Sequence, residues 1–274
     1  MQKLKILILL LTIFTKNQAF AQSNIQPVKF YSEAGISSLE AAKYKNDFYQ
    51  LVNFFQPQIN SVYCGIASSV IVLNALNYGD ITSNSYGETT LPKTMGEKVL
   101  PYNLYTQQNF LNSETNKIKH RDIIELKSPK KTVNQNEVFD PGLTLGELSS
   151  ILRENHKLKV ETFYTKKNNL AEIEKFRQLL KNTVSDKSSF LISNFDGKTF
   201  RNSPTGHISP VVAYNQENDT ALILDVATHQ SEWYWVKIEH LYTSMNSKDG
   251  ENYRGFIIVS KNISSSFSKN SPLP

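Results

Sequence analysis

Cysteine is almost missing from this chain. Among 274 residues there is one, Cys64. That excludes an internal disulfide, and without a single CxxC pair it excludes a cysteine-rich metal cluster. No glycine-rich phosphate loop interrupts the chain, which removes the usual signature of nucleotide binding. No segment repeats, so a solenoid is excluded. The apolar run at 6–14 is far too short to span a bilayer. A strong basic surplus is lacking as well, once the first residues are set aside.

Those first residues read MQKLKILILLLTIFTKNQAFAQ. Lys3 and Lys5 make a positive start, 6–14 an apolar centre, and Ala19-Phe20-Ala21 a small-residue cleavage site. This is the pattern of a secretory signal at 1–21, with cleavage after Ala21. It implies export to a periplasmic or extracellular location, with no membrane attachment afterwards. Loss of Lys3, Lys5 and Lys16 takes the formal charge from +5 to +2. The remaining basic cluster, at 117–131, is interleaved with Asp122, Glu125 and Pro129. It reads as a solvated loop and helix end, so no nucleic-acid partner is expected.

Aromatic residues are plentiful, with 15 Phe and 13 Tyr. They are enough for a large core in one domain or two closely packed lobes. The pattern predicts a helical stretch at 38–51, then a loop leading to Cys64. The run CGIASSVIVLNALN at 64–77 is apolar on most sides, which predicts a buried helix. Residues 78–92 read as an excursion, and the loop at 79–100 is the first candidate to close a cleft. Thr144 and Glu147 form a capping box that opens an amphipathic helix at 144–156. A charged helix is predicted at 170–182. Short β-rich segments follow at 189–193, 208–214, 221–227, 233–237 and 255–260, separated by turn residues. Helices first and antiparallel strands later predict an α+β fold. The Ser/Asn/Pro-rich tail at 262–274 reads as loose.

The chemistry gathers around the lone thiol. Cys64 opens a predicted helix, where unpaired N–H groups and the positive dipole end favour a thiolate. His207, after Gly206 at the start of a predicted strand, is a candidate base. Asp225 lies in the next predicted strand, in LILDVA, where an acid among apolar neighbours needs a partner such as an imidazole. The order Cys, His, Asp matches a cysteine-nucleophile triad. Gln58, six residues before Cys64, is placed to join the Cys64 backbone N–H in an oxyanion hole. His120, His156, His229 and His240 sit in polar stretches and read as exposed. Trp233 and Trp235 read as packing residues.

In chain order, YCGIASSVIVLNAL, LPYNLYTQQNF, LTLGEL, GHISPVVAY, LILDVA, YWV and RGF resemble the catalytic domain of the phytochelatin synthase family. They span residues from about 30 to 261, within an expected catalytic domain at 22–261. The resemblance implies a papain-like fold: a helical lobe, with the nucleophile at a helix N-terminus, packed against an antiparallel sheet lobe. It implies cleavage of the Cys–Gly bond of glutathione or its S-conjugates through a γ-Glu-Cys acyl-enzyme, with transfer to water or to a second glutathione.

Carried over, Cys64 is the nucleophile, His207 the base, Asp225 its orienter and Gln58 the oxyanion donor. Arg254, in RGF, is a partner for a substrate carboxylate, and Gly206 and Arg201 fall on the substrate side. Plant-type members add a Cys-rich extension, whereas this sequence has no spare cysteine. Where the family places an arginine three residues after an asparagine, Asn194-Phe195-Asp196-Gly197 has glycine, with Lys198 and Arg201 as nearby substitutes.

Compact bacterial members tend toward hydrolysis, so water is the expected main acceptor. No tightly bound cofactor or protein-bound metal is expected. Cadmium or zinc would enter as a thiolate complex with the substrate. A homodimer stays open. Two alternatives stay open beside this reading. One is a papain-like peptidase acting on another peptide or a cell-wall substrate. The other is a thiol-dependent metal-binding module.

Overall fold

The computed structural model describes residues 26–77, 104–120, 130–133, 136–139, 142–201 and 206–262. The expected signal at 1–21, the loop at 79–100, the 121–129 part of the basic cluster and the expected tail from 263 lie outside the described residues.

Helices form at Glu33–Ala41, Asn46–Leu51, Cys64–Leu76, Gln107–Phe110, Leu145–Ser150, Leu170–Thr183 and Ile238–Met245. The strands are β1 (Val28–Lys29), β2 (Lys130–Val133), β3 (Asn136–Phe139), β4 (Lys159–Tyr164), β5 (Ser189–Asp196), β6 (Gly206–Asn215), β7 (Thr220–Ile223), β8 (Tyr234–Lys237), β9 (Lys248–Asp249), β10 (Asn252–Tyr253) and β11 (Gly255–Ser260). The main sheet runs β1-β8-β7-β6-β5-β11-β4. Every neighbouring pair in it is antiparallel. This is the α+β class expected, with the Cys64 helix packed on an antiparallel sheet. Among the described residues no helix is long and apolar enough to cross a membrane.

The central strands are buried along almost their whole length because helices cover both faces. On one side, Phe190 and Ile192 of β5, Ile208 and Val212 of β6 and Trp235 of β8 pack with Ile66, Val70, Leu73, Leu145 and Leu148. On the other, Leu191, Phe195, Val211, Tyr214 and Tyr234 pack with Ile173, Phe176, Leu180, Leu241 and Met245. A bulge between Val211 and Ala213 shifts the β6–β7 register. It turns Val212 and Ala213 to the same face.

Burial on all sides decides the Cys64–Leu76 helix. Its β-branched run Val70-Ile71-Val72 costs at most about 0.7 kcal/mol per residue in propensity. Each of those side chains is fully buried, which returns about 1.5–3 kcal/mol. The Thr144–Glu147 capping box is present, Thr144 Oγ1 accepting from the Glu147 N–H at 3.2 Å and Glu147 Oε2 from the Thr144 N–H at 2.8 Å. After Ser150 that helix widens into a π-turn at Ile151–Asn155.

Several boundaries differ from the sequence pattern. The stretch at 38–51 divides into two helices because Tyr44 bridges to β6, accepting from the Tyr214 N–H at 2.7 Å. The strand expected at 221–227 ends at Ile223. Its last ladder bond runs from the Leu224 N–H to the Pro210 carbonyl at 3.0 Å. Proline has no N–H to return, and the chain leaves the sheet there. His156, expected to be exposed, is half-buried and stacked on Phe110 with centroids 5.1 Å apart. Burial lowers its pKa to about 4, so it packs as a neutral ring. Trp235 is buried with its Nε1–H on the Gly35 carbonyl. Trp233 packs against Phe30, Phe48 and Phe55. Both are packing residues, as expected.

Asn74 clamps Tyr105 to the Cys64 helix, Nδ2 donating to the Tyr105 carbonyl at 3.0 Å and Oδ1 accepting its N–H at 2.8 Å. Asn74→Ala strands both buried groups and should cost about 1–3 kcal/mol in urea unfolding, with an unchanged m-value.

Candidate active site

Cys64 is the first residue of its helix. Gly65 behind it lets the helix press on β6, since a Cβ there would sit 3.3 Å from Ile208 Cδ1. Ser68 Oγ lies between the Cys64 and Ile208 carbonyl oxygens, at 2.7 and 3.0 Å, and stitches the first helical turn to the strand.

His207 stands at the second position of β6, buried. Its Nε2 lies 2.9 Å from Asp225 Oδ1 and 2.8 Å from Ser209 Oγ. That leaves Nδ1 as the ring nitrogen for the thiol. Asp225 is wholly buried two residues past the end of β7. Its Oδ1 also accepts the Ala227 N–H at 2.8 Å. By leaving the ladder at Leu224, the chain aims this carboxylate at the imidazole.

The three groups set one another's protonation. Burial pushes the Cys64 thiol up, but the hydrogen bond and charge of His207, helped by the Ile208 and Gly65 amides, bring it below its ordinary 9.0. Burial lowers His207, yet the charge and hydrogen bond of Asp225, then Cys64, raise it to about 9. Burial raises Asp225, but His207 first, then Arg201 and the Ala227 N–H, bring it below the usual carboxylate range. At neutral pH this favours a thiolate–imidazolium pair held on a carboxylate.

Gln58 lines the same cavity as Cys64 and His207, a space of about 260 Å³. Its backbone N–H donates to the Val226 carbonyl at 2.8 Å, which ties its loop to the residue after Asp225. Its Nε2 donates to the Asn60 carbonyl at 2.9 Å. Buried Gln107 braces the loop on both sides of Gln58. It accepts from the Ile59 N–H at 3.0 Å and donates to Gln56 Oε1 and to the Pro57 carbonyl at 3.0 and 2.8 Å.

Arg254 lines the cavity too, with its guanidinium over Gly206. A Cβ on Gly206 would fall 2.1 Å from Arg254 Nη1, so glycine there makes room for the cation. Nη1 donates to Asn194 Oδ1 at 2.7 Å and lies 3.3 Å from Asp249 Oδ2. Asn194 Nδ2 donates to the same Asp249 oxygen at 2.8 Å. Arg254 Nε and Gln58 Oε1 are buried with no hydrogen-bond partner among the described residues. Arg201 borders the cavity, but its charge faces Asp225, with Nε 2.9 Å from Oδ2.

Six of the seven candidate residues therefore border one cavity, and the seventh, Asp225, lies buried behind His207. Asn194, Ser209, Asp249 and Gln107 were not among them. Ser209 had a signal, because two residues along a strand share a face with His207. Asn194 had one as a polar residue in the apolar run FLISNF. Asp249 sits beside Gly250 in what reads as an ordinary turn, and Gln107 lies in a polar stretch.

The family model for phytochelatin synthase matches residues 21–256. Glutathione gamma-glutamylcysteinyltransferase 1 of Arabidopsis thaliana is 28% identical over 217 residues, covering 78% of this chain and 37% of that protein. The protein of the same name from Lotus japonicus is 28% identical over 218 residues, covering 78% and 36%. This chain thus spans well under half the length of these relatives. Among solved structures, xylellain, a cysteine protease from Xylella fastidiosa, superposes loosely, with a TM-score of 0.38 and 12% identity over 86% of this chain and 92% of that one.

Iodoacetamide alkylation of Cys64, followed against pH, should show a midpoint below 9.0. In His207→Ala the main lowering partner is gone while burial remains, so the midpoint should rise. An unmoved midpoint would disprove the thiolate–imidazolium pair.

Proposed function

The chain belongs to the phytochelatin synthase family, and from that premise we propose that it cleaves the Cys–Gly bond of glutathione or its S-conjugates, through a γ-Glu-Cys acyl-enzyme on Cys64. The observation that carries this reading is the chain from half-buried Cys64 through buried His207 to buried Asp225, opening on a cavity that also holds Arg254 and Asp249.

In the first half-reaction the Cys64 thiolate attacks the carbonyl carbon of the Cys–Gly bond. The developing oxyanion is met by the Cys64 backbone N–H and the second Nε2–H of Gln58, whose first is held by the Asn60 carbonyl. His207 gives its proton to the departing amine, glycine leaves, and a thioester remains. In the second half, neutral His207 takes a proton from water. The hydroxide oxygen adds to the thioester carbonyl, and collapse releases γ-Glu-Cys and the thiolate. When the amine of a second glutathione takes the place of water, the product is (γ-Glu-Cys)₂-Gly. Asp225 orients the imidazole through both halves.

Recognition follows from the charges beside the thiol. Arg254 offers a fork to a substrate carboxylate, with its buried Nε still lacking a partner. Asp249 suits the neighbouring ammonium, so the pair is complementary to a zwitterionic amino-acid end. The cavity is at the small end for a ligand site, which suits one short peptide. Hydrolysis is proposed as the main outcome, on the further proposal that 1–21 is a signal directing the chain to a compartment poorer in glutathione as acceptor. Cadmium or zinc acts in this reading as part of a thiolate complex of the substrate.

Mass spectrometry of products from glutathione, with and without cadmium, tests the proposal. Glycine and γ-Glu-Cys without longer peptides are expected, and Cys64→Ala should abolish both. Cadmium-dependent (γ-Glu-Cys)₂-Gly would overturn the hydrolytic emphasis, and no product would overturn the substrate. Steady-state kinetics should show Arg254→Met raising KM about 10- to 100-fold with less effect on kcat, as loss of a charged hydrogen bond implies. Gly206→Ala, which displaces the same guanidinium, should move KM in the same direction.

A further inference from the structure

Asp225 poses a problem that His207 alone does not solve. A carboxylate with no exposed surface is stable as an anion only while a positive charge lies against it. In the proposed cycle His207 surrenders its proton to the leaving amine. Asp225 then faces a neutral ring, at the moment when it must still hold that ring in place.

A second cation is built in beside it. Beyond β5 the chain makes a tight turn, with the Arg201 N–H on the Gly197 carbonyl at 2.9 Å. Phe200 is buried against Phe195 and Tyr234, with centroids 5.2 and 5.8 Å away. That anchor sends the next side chain inward. Arg201 is 2% exposed along its side chain, and its Nε lies 2.9 Å from Asp225 Oδ2. Neither atom has a well-aimed hydrogen bond, so the contact is one of charge and proximity. The two carboxylate oxygens are thereby divided: Oδ1 serves His207 and the Ala227 N–H, while Oδ2 faces Arg201. The titratable and charged groups around this carboxyl are His207 from β6, Arg201 from the turn after β5 and Tyr234 from β8. Burial, with the Asp225 charge second, keeps the Tyr234 phenol neutral. Arginine does not titrate in the working range.

We propose that Arg201 is a positioning residue that keeps Asp225 ionised and aimed at His207 while the imidazole gains and loses its proton. This inference rests on the reading of Cys64, His207 and Asp225 as the working site. It does not depend on which peptide that site cleaves.

Because Cys64 is the single thiol of the chain, alkylation by iodoacetamide reports the ion pair without a substrate. Arg201→Gln and Arg201→Met should let Asp225 protonate at higher pH. The acid-side midpoint of Cys64 alkylation should then move up by about one pH unit, the scale on which a nearby opposite charge acts. Arg201→Lys, which restores the charge, should return most of the shift. In Asp225→Asn, adding Arg201→Gln should have no further effect.

With glutathione as substrate, kcat for glycine release should fall about 10- to 100-fold in the neutral variants, on the scale known for partners that orient metal-bound histidines from behind, with little change in KM. A wild-type midpoint in folded Arg201→Gln, with only its melting temperature lowered, would overturn the proposal and leave Arg201 a structural ion pair. A normal alkylation series beside an enzyme that releases no glycine would instead overturn the substrate reading and leave the role of Arg201 standing.

Discussion

A buried negative charge organises this molecule. Asp225 has no exposed surface, so the groups set against it answer to its charge: the imidazole of His207, the guanidinium of Arg201 and the amide of Ala227. The carboxylate raises His207, and the imidazolium in turn lowers Cys64. One desolvated anion thus carries its influence through the ring to a sulfur with which it shares no hydrogen bond.

The sheet makes that arrangement rigid. Helices cover both faces of β5 and β6, so neither strand has freedom to shift sideways. His207 and Ser209 ride on β6, Asn194 on β5, and Arg254 immediately precedes β11. His207, Asn194 and Arg254 therefore hang from three neighbouring strands, while Asp249 comes from β9 in a separate small sheet. The helix that presents Cys64 is packed onto the same strands by Ile66, Val70 and Leu73. The loop that carries Gln58 is fastened twice, through Gln107 and through the bond from the Gln58 N–H to Val226. In this layout the proposed nucleophile, its proton partner and the Arg254–Asp249 pair share one framework.

Much of this was legible in the sequence where a residue type is rare or a pattern is local. A lone cysteine before an apolar run, a histidine after a glycine at a strand start, and an acid among leucines and valines each stand out against their surroundings. Local rules also placed the Thr144–Glu147 cap and the charged helix that forms at Leu170–Thr183. Less legible was the helix at Ile238–Met245, even though its buried positions at Ile238, Leu241, Tyr242 and Met245 follow helical spacing. The strand pattern running up to Lys237 masked it. The division of 38–51 was not legible at all, because it depends on a bridge from Tyr44 to Tyr214, 170 positions away.

The sequence by itself determined the chemistry available: one thiol, an imidazole and carboxylate in triad order, a signal-like start and an alternation of elements that makes an α+β fold. These follow from residue identity and short-range spacing, which the chain carries in one dimension. Only the tertiary structure decided which cation serves which anion. Arg201 and Arg254 look alike in sequence, and either suits a carboxylate. The Phe200 anchor turns Arg201 inward to Asp225, whereas the missing Cβ at Gly206 lets Arg254 lie over the cavity beside Asn194 and Asp249. Packing between segments far apart in the chain makes that assignment, because a side chain's partner is set by the space left to it.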